Sequence, residues 1–89
     1  MSYMVDIPVF TASELGHQFK AERKALGLTQ QQLASRVGVT RQTVIDVEHG
    51  RNVSLYVVMG VLAALGKALK ITDARASVDD VRAMFDETE

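Results

Sequence analysis

The chain has no cysteine and only one proline in 89 residues. Without cysteine there can be no disulfide framework and no thiolate zinc site. That suits a reducing interior, and a cytoplasmic location is the expectation. No apolar run reaches the roughly 18 residues that a membrane-spanning helix requires. The run Leu55–Leu65 is apolar but too short. The N-terminus has no positive segment followed by an apolar core, so no secretory signal is expected. A single proline and no low-complexity segment argue against disorder.

Charge of one sign is also scarce. The net charge is −1, which taken whole argues against a nucleic-acid partner. The distribution argues otherwise. From His17 to Asn52 there are six basic residues and three acidic ones. From Asp73 to Glu89 there are two basic residues and six acidic ones. A mildly basic body therefore carries an acidic C-terminal stretch. Phosphate binding needs a local field, not a net one.

What is present is apolar and helix-patterned. Hydrophobic residues make up 47% of the chain, enough for the core of one domain. A chain this short buries a modest share of its surface, so pairing of two copies is an economical source of stability.

Residues 1–10 alternate weakly around Pro8 and suit an extended arm or an edge strand. Thr11 and Glu14 have capping-box spacing, which predicts a helix to about Leu26, with Leu15, Phe19 and Leu26 on one face. Thr29 and Gln32 form a second capping box. The helix after it runs to Val37, with Leu33, Ala34 and Val37 inward. Gly38 supplies the positive φ of a sharp turn. Thr40 caps a third helix to about His49, with Val44 and Val47 inward. Ser54 caps a fourth, Leu55 to Leu65, apolar nearly all round and so buried on more than one side. Residues 67–72 alternate, with Leu69 and Ile71 on one face. They read as a short strand that needs a partner, either the N-terminal arm or its own copy in a second chain. Ser77 opens a short acidic helix with Val78, Val81 and Phe85 on one side.

The stretch Thr29–Asn52 carries the chemistry. Two short helices meeting at a steep angle need a small residue at the crossing, and Ala34 is placed for it. The turn needs Gly38. The inward positions Leu33, Val37, Val39, Val44 and Val47 are all aliphatic. The second helix then presents Arg41, Gln42 and Thr43 from its first turn, the end of a recognition helix that enters the major groove. Arginine matches guanine O6/N7, and glutamine matches adenine N6/N7.

The residues from Phe19 to Ala34 and from Asp46 to Arg51 resemble the Cro/C1-type (XRE) helix-turn-helix family over about residues 12–66. Ser54–Gly66 and the short strand after it resemble the HipB-like antitoxin subgroup. The resemblance implies a mainly α, lambda-repressor-like four-helix domain with a short C-terminal strand and a short terminal helix. It implies phosphate contact and bracing by Gln30, and base reading by Arg41 and Gln42. Thr40 and Thr43 would meet phosphate or a thymine methyl. Asp46 would accept from cytosine or repel phosphate. Arg51 and Asn52 would grip the DNA backbone. Arg23, which on charge alone could be a phosphate contact, would instead pair internally with Glu48. The HipB-like part implies a homodimer on a palindromic operator and a HipA-like kinase toxin as a further partner.

Blander readings stand beside these. Lys20 and Lys24 form a solvated helix face. Thr29 and Thr40 are caps before they are ligands. His17 and His49 are far apart in sequence with no cysteine companions, so no metal site is expected. Met59, Val61 and Leu62 belong to a core or a dimer interface, not to a cofactor box, and no cofactor is expected. No serine, histidine and aspartate stand at a spacing that suggests a nucleophile, a base and an orienter, so the chain is not read as an enzyme.

The expected organisation is an arm over 1–10, a helix-turn-helix domain over 11–66, and a dimerisation strand with an acidic helix over 67–89. The expected dimer contacts are Leu62, Leu65, Leu69 and Ile71. The expected function is an operator-binding repressor, an autoregulating antitoxin of this kind, or alternatively a free-standing phage-type or housekeeping repressor.

Overall fold

Hydroxyl residues set the start of each described helix. In the computed structural model, which describes residues 8–74, Thr11, Thr29, Thr40 and Ser54 each accept a backbone hydrogen bond at a helix N-terminus. The helices are α1 (Ala12–Ala25), α2 (Gln30–Val37), α3 (Arg41–Glu48) and α4 (Leu55–Ala64). At α1 and α2 the capping box is complete, with Glu14 and Gln32 reaching back to the cap backbone. Each cap satisfies donors that the helix itself cannot, an effect of about 1 kcal/mol.

The core is drawn from all four helices. Phe19 comes from α1, Leu33 and Ala34 from α2, Val44 and Val47 from α3, and Val61 and Leu62 from α4, with Leu65 just beyond. Leu33 and Ala34 are completely buried. Ala34 lies in α2, which packs on α3. Between those helices Gly38 adopts φ 86°, and the N–H groups of Gly38 and Val39 both donate to the Ala34 carbonyl. That turn sets the direction of α3.

Two glycines let α1 approach the end of α3. A Cβ at Gly16 would lie 2.5 Å from the Glu48 carbonyl oxygen and 2.6 Å from that of Val47. A Cβ at Gly50, where φ is 73°, would lie 2.7 Å from the Ser13 backbone. Only the missing side chains allow this contact.

Two expectations are corrected. Leu26 is 53% exposed, because it caps α1 beyond the last core-facing turn. Leu62 and Leu65 face the chain's own core, so they are not available to a second copy. The outward apolar residues of α4 are Leu55, Tyr56 and Met59. An apolar helix with little amphipathic contrast does not reveal which side is which. Residues 67–74 form no strand among the described residues; the expected strand requires the N-terminal arm or a second copy as its ladder partner. Leu69 and Ile71 are exposed there. Residues 1–7 of the expected arm over 1–10, and the helix after Ser77, lie outside the described residues.

Candidate nucleic-acid interface

A buried ion pair organises the motif. The Arg23 Nε donates to Glu48 Oε2 at 2.7 Å, and Nη2 donates to Oε1 at 3.2 Å. Arg23 Nη1 also donates to the Leu28 carbonyl at 2.8 Å. Gln30 Nε2 completes the set by donating to Glu48 Oε1 at 3.2 Å. The side chains of Arg23 and Glu48 are 8% and 2% exposed. A carboxylate that deep requires such partners, because an unpaired buried charge is expensive. The network ties α1, the loop before α2, the first turn of α2 and the end of α3 into one frame. Gln30 is thus held against α3 while standing at the N-terminus of α2.

The first turn of α3 is the most open polar part of this frame. Thr40 Oγ1 accepts from the Thr43 N–H at 3.1 Å and lies 3.0 Å from Thr43 Oγ1. Thr40 is therefore occupied as a cap. Arg41 and Gln42 project from the same turn and are exposed. The Arg41 side chain makes no hydrogen bond or ion pair among the described residues. Asn52 is also exposed and follows Arg51 in the loop after α3.

Asp46 joins the two ends of this surface. Its Oδ1 accepts from Gln42 Nε2 at 3.0 Å and from Arg51 Nη1 at 3.0 Å. Gln42 and Asp46 are one helical turn apart, the spacing at which side chains meet. The Arg51 N–H also donates to the Asp46 carbonyl at 2.9 Å. Donation from Arg51, then from Gln42, holds the Asp46 carboxyl below the usual carboxylate range.

His17 and His49, distant in sequence, line one open cleft of about 120 Å³ with Ser13, Lys20, Gln30 and Glu48. His49 Nδ1 lies 2.9 Å from the Ile45 carbonyl oxygen. Among the described residues, no group of three or more His, Asp or Glu is placed to hold a metal ion. No described helix is long and apolar enough to cross a membrane. The sequence reading passed over two features, the close approach at Gly16 and the role of Asp46 as a shared acceptor. A glycine inside a helix was a signal for the first, and i,i+4 spacing from Gln42 was a signal for the second.

This arrangement, a capped helix presenting the exposed Arg41 and Gln42 after a tight turn at Gly38, is that of a helix-turn-helix. Residues 19–71 match the helix-turn-helix family. A relative in Methanothermobacter thermautotrophicus, described as an uncharacterized HTH-type transcriptional regulator, is 53% identical over 49 residues, 54% of this chain and 71% of its own. Among solved structures, the restriction-modification controller protein C.AhdI from Aeromonas hydrophila is 36% identical with a TM-score of 0.60, covering 64% of this chain and 84% of that one. A chain of a HipA–HipB–O2–O3 complex gives a TM-score of 0.72 at 23% identity, covering 76% of this chain and 97% of that one. The chain belongs to the Cro/C1-type helix-turn-helix family of DNA-binding transcriptional regulators.

Proposed function

We propose that the protein is a sequence-specific repressor that binds a palindromic operator in double-stranded DNA as a homodimer. The observation that carries this reading is the exposed, capped first turn of α3, with Arg41 and Gln42 side by side. These two read base edges from the major groove. Gln30, Thr43, Arg51 and Asn52 surround them and contact phosphate, which supplies affinity and register rather than sequence choice. Thr40 contributes by fixing the helix start. Occupying a promoter in this way blocks transcription. The site of action is the cytoplasm.

One chain reads half a site. Leu55, Tyr56 and Met59 on α4, with Leu69 and Ile71 beyond it, are the exposed large apolar residues suited to a partner. We place the dimer contact there, with residues 67–72 pairing as a strand against their own copy. A two-fold dimer sets its recognition helices about 34 Å apart, one turn of B-DNA.

Within the family we assign the HipB-like antitoxin role, autoregulating its promoter and binding a HipA-like kinase toxin. The support is the fold likeness to a chain of a HipA–HipB complex over 97% of that chain. The second reading is a free-standing repressor without a toxin partner. It draws on the higher sequence identity to a restriction-modification controller, 36% against 23%. Co-expression with a kinase-like product of the adjacent gene separates the two. A stable complex favours the antitoxin, and the lack of such a neighbour favours the free-standing repressor.

DNA binding is tested by gel shift on the chain's own promoter. Gln42→Ala should weaken cognate binding by roughly 1–3 kcal/mol and relax specificity. Unchanged affinity in both Arg41→Ala and Gln42→Ala would remove Arg41 and Gln42 from the groove.

A further inference from the structure

We propose that DNA binding by this chain is coupled to protonation of His17 and His49, which meet one backbone phosphate from the cleft they share; the inference rests on the DNA-binding reading above. Ser13, His17 and Lys20 line that cleft, and spacings of four and three residues put them in one row on α1. His49 lines it from the C-terminal cap of α3, and Gln30 from the first turn of α2. The cleft thus adjoins groups already assigned to phosphate. Gln30 is one of them, and Arg51 and Asn52 follow His49 closely in the chain.

The charges around the two rings set what the cleft accepts. Glu48 lines it, but Arg23 holds that carboxylate through two hydrogen bonds and Gln30 adds a third. With that pair neutral as a unit, Lys20 is the charge left on the lining. Asp46, one turn before His49, feels the His49 charge but is itself held by Arg51 and Gln42. Protonation of both rings therefore gathers His17, Lys20 and His49 as cations around one opening, an arrangement that calls for an anion.

His49 shows why the proton matters. Its Nδ1 lies 2.9 Å from the Ile45 carbonyl oxygen. A carbonyl only accepts, so Nδ1 carries the hydrogen. In the neutral ring Nε2 is then a bare acceptor, which repels a phosphate oxygen. A proton on Nε2 makes it a charged donor, and charge-assisted bonds are the strong ones. Phosphate favours the protonated ring, so by linkage binding draws protons from solution. Histidine is the residue type whose charge ordinarily changes between about pH 5 and 8.

Fluorescence anisotropy on a duplex of the chain's own promoter, at constant ionic strength between about pH 5.5 and 8, tests this. The chains compared are the wild type, His17→Gln, His49→Gln and the double variant. Both residues are exposed, so the fold should stand. The wild type should bind roughly 10- to 100-fold more tightly at the acid end. Each single variant should lose part of that rise, and the double variant all of it. Asp46 stays ionised throughout, because its carboxyl is held below the ordinary 3.8, so it adds nothing to the rise. Salt dependence gives a second readout. The wild-type slope of log affinity against log salt should steepen by roughly 1 at the acid end, as for one more phosphate contact, and the slope of the double variant should not change. Equal wild-type affinity across the range overturns the coupling, and so does a rise that survives in the double variant; either result leaves the DNA-binding reading standing. No binding to the promoter duplex at any pH overturns that reading, and this inference with it.

Discussion

Arg23→Met isolates the electrostatic part of the frame. Methionine keeps most of the aliphatic stem, so little packing is lost. What disappears is the guanidinium, with two hydrogen bonds to Glu48 and one to the Leu28 carbonyl. Glu48 then keeps only Gln30 as a side-chain donor while its side chain remains 2% exposed. Breaking one partner of a buried pair in this way costs about 3–5 kcal/mol. A domain of this size has a total stability on the order of 4–13 kcal/mol, so the loss is a large share of the whole. Replacing both partners tells a different story. Arg23→Met with Glu48→Leu removes the stranded charge and should recover most of the loss, since apolar replacements of buried pairs are often neutral or better. Urea unfolding followed by far-UV circular dichroism measures both. The reasoning is refuted if Arg23→Met costs less than about 1 kcal/mol, or if the double variant is as unstable as the single one.

Other outcomes follow from the same structure. Gly16→Ala would raise stability by about 1 kcal/mol at an open helix position. Here the added carbon meets two backbone carbonyls, so the melting temperature should fall, by an amount matching about 1–3 kcal/mol. Asp46 should titrate below its ordinary value of 3.8, and Arg51→Ala should move it back up, as followed by carboxyl carbon NMR. Because the folded value is the lower one, any stability from this group is present above the unfolded value and lost as pH falls through the folded one. Tyr56→Lys, at a residue 91% exposed in the single chain, should shift sedimentation from dimer toward monomer while leaving the helical circular dichroism unchanged.

Local chemistry was legible where a few neighbouring residues decide the outcome. The helix starts at Thr11, Thr29, Thr40 and Ser54 could be read from hydroxyl residues at capping positions, and the turn at Gly38 from its glycine. The inward faces of α2 and α3 could be read from aliphatic spacing, because both helices carry a polar side for contrast. α4 lacks that contrast. Its apolar residues gave no sign that Leu62 and Leu65 turn to the core while Leu55, Tyr56 and Met59 turn out. The strand expected over residues 67–72 depends on a ladder that the described residues do not supply. The grip of Arg51 on Asp46 crosses the end of a helix, where no periodicity applies. A glycine inside a helix marks Gly16 as unusual, but the backbone it admits, at Val47 and Glu48, arrives from 31 and 32 residues further along the chain.

The central claim is that the first turn of α3 reads the major groove, and dimethyl sulfate protection on the operator tests it most directly. The reagent methylates guanine N7 from the major groove, the atom that Arg41 would engage. The account predicts protected guanines in two half-sites about one helical turn apart, with protection lost in Arg41→Ala. Protection that persists in Arg41→Ala, or that falls only on adenine N3 in the minor groove, would contradict it.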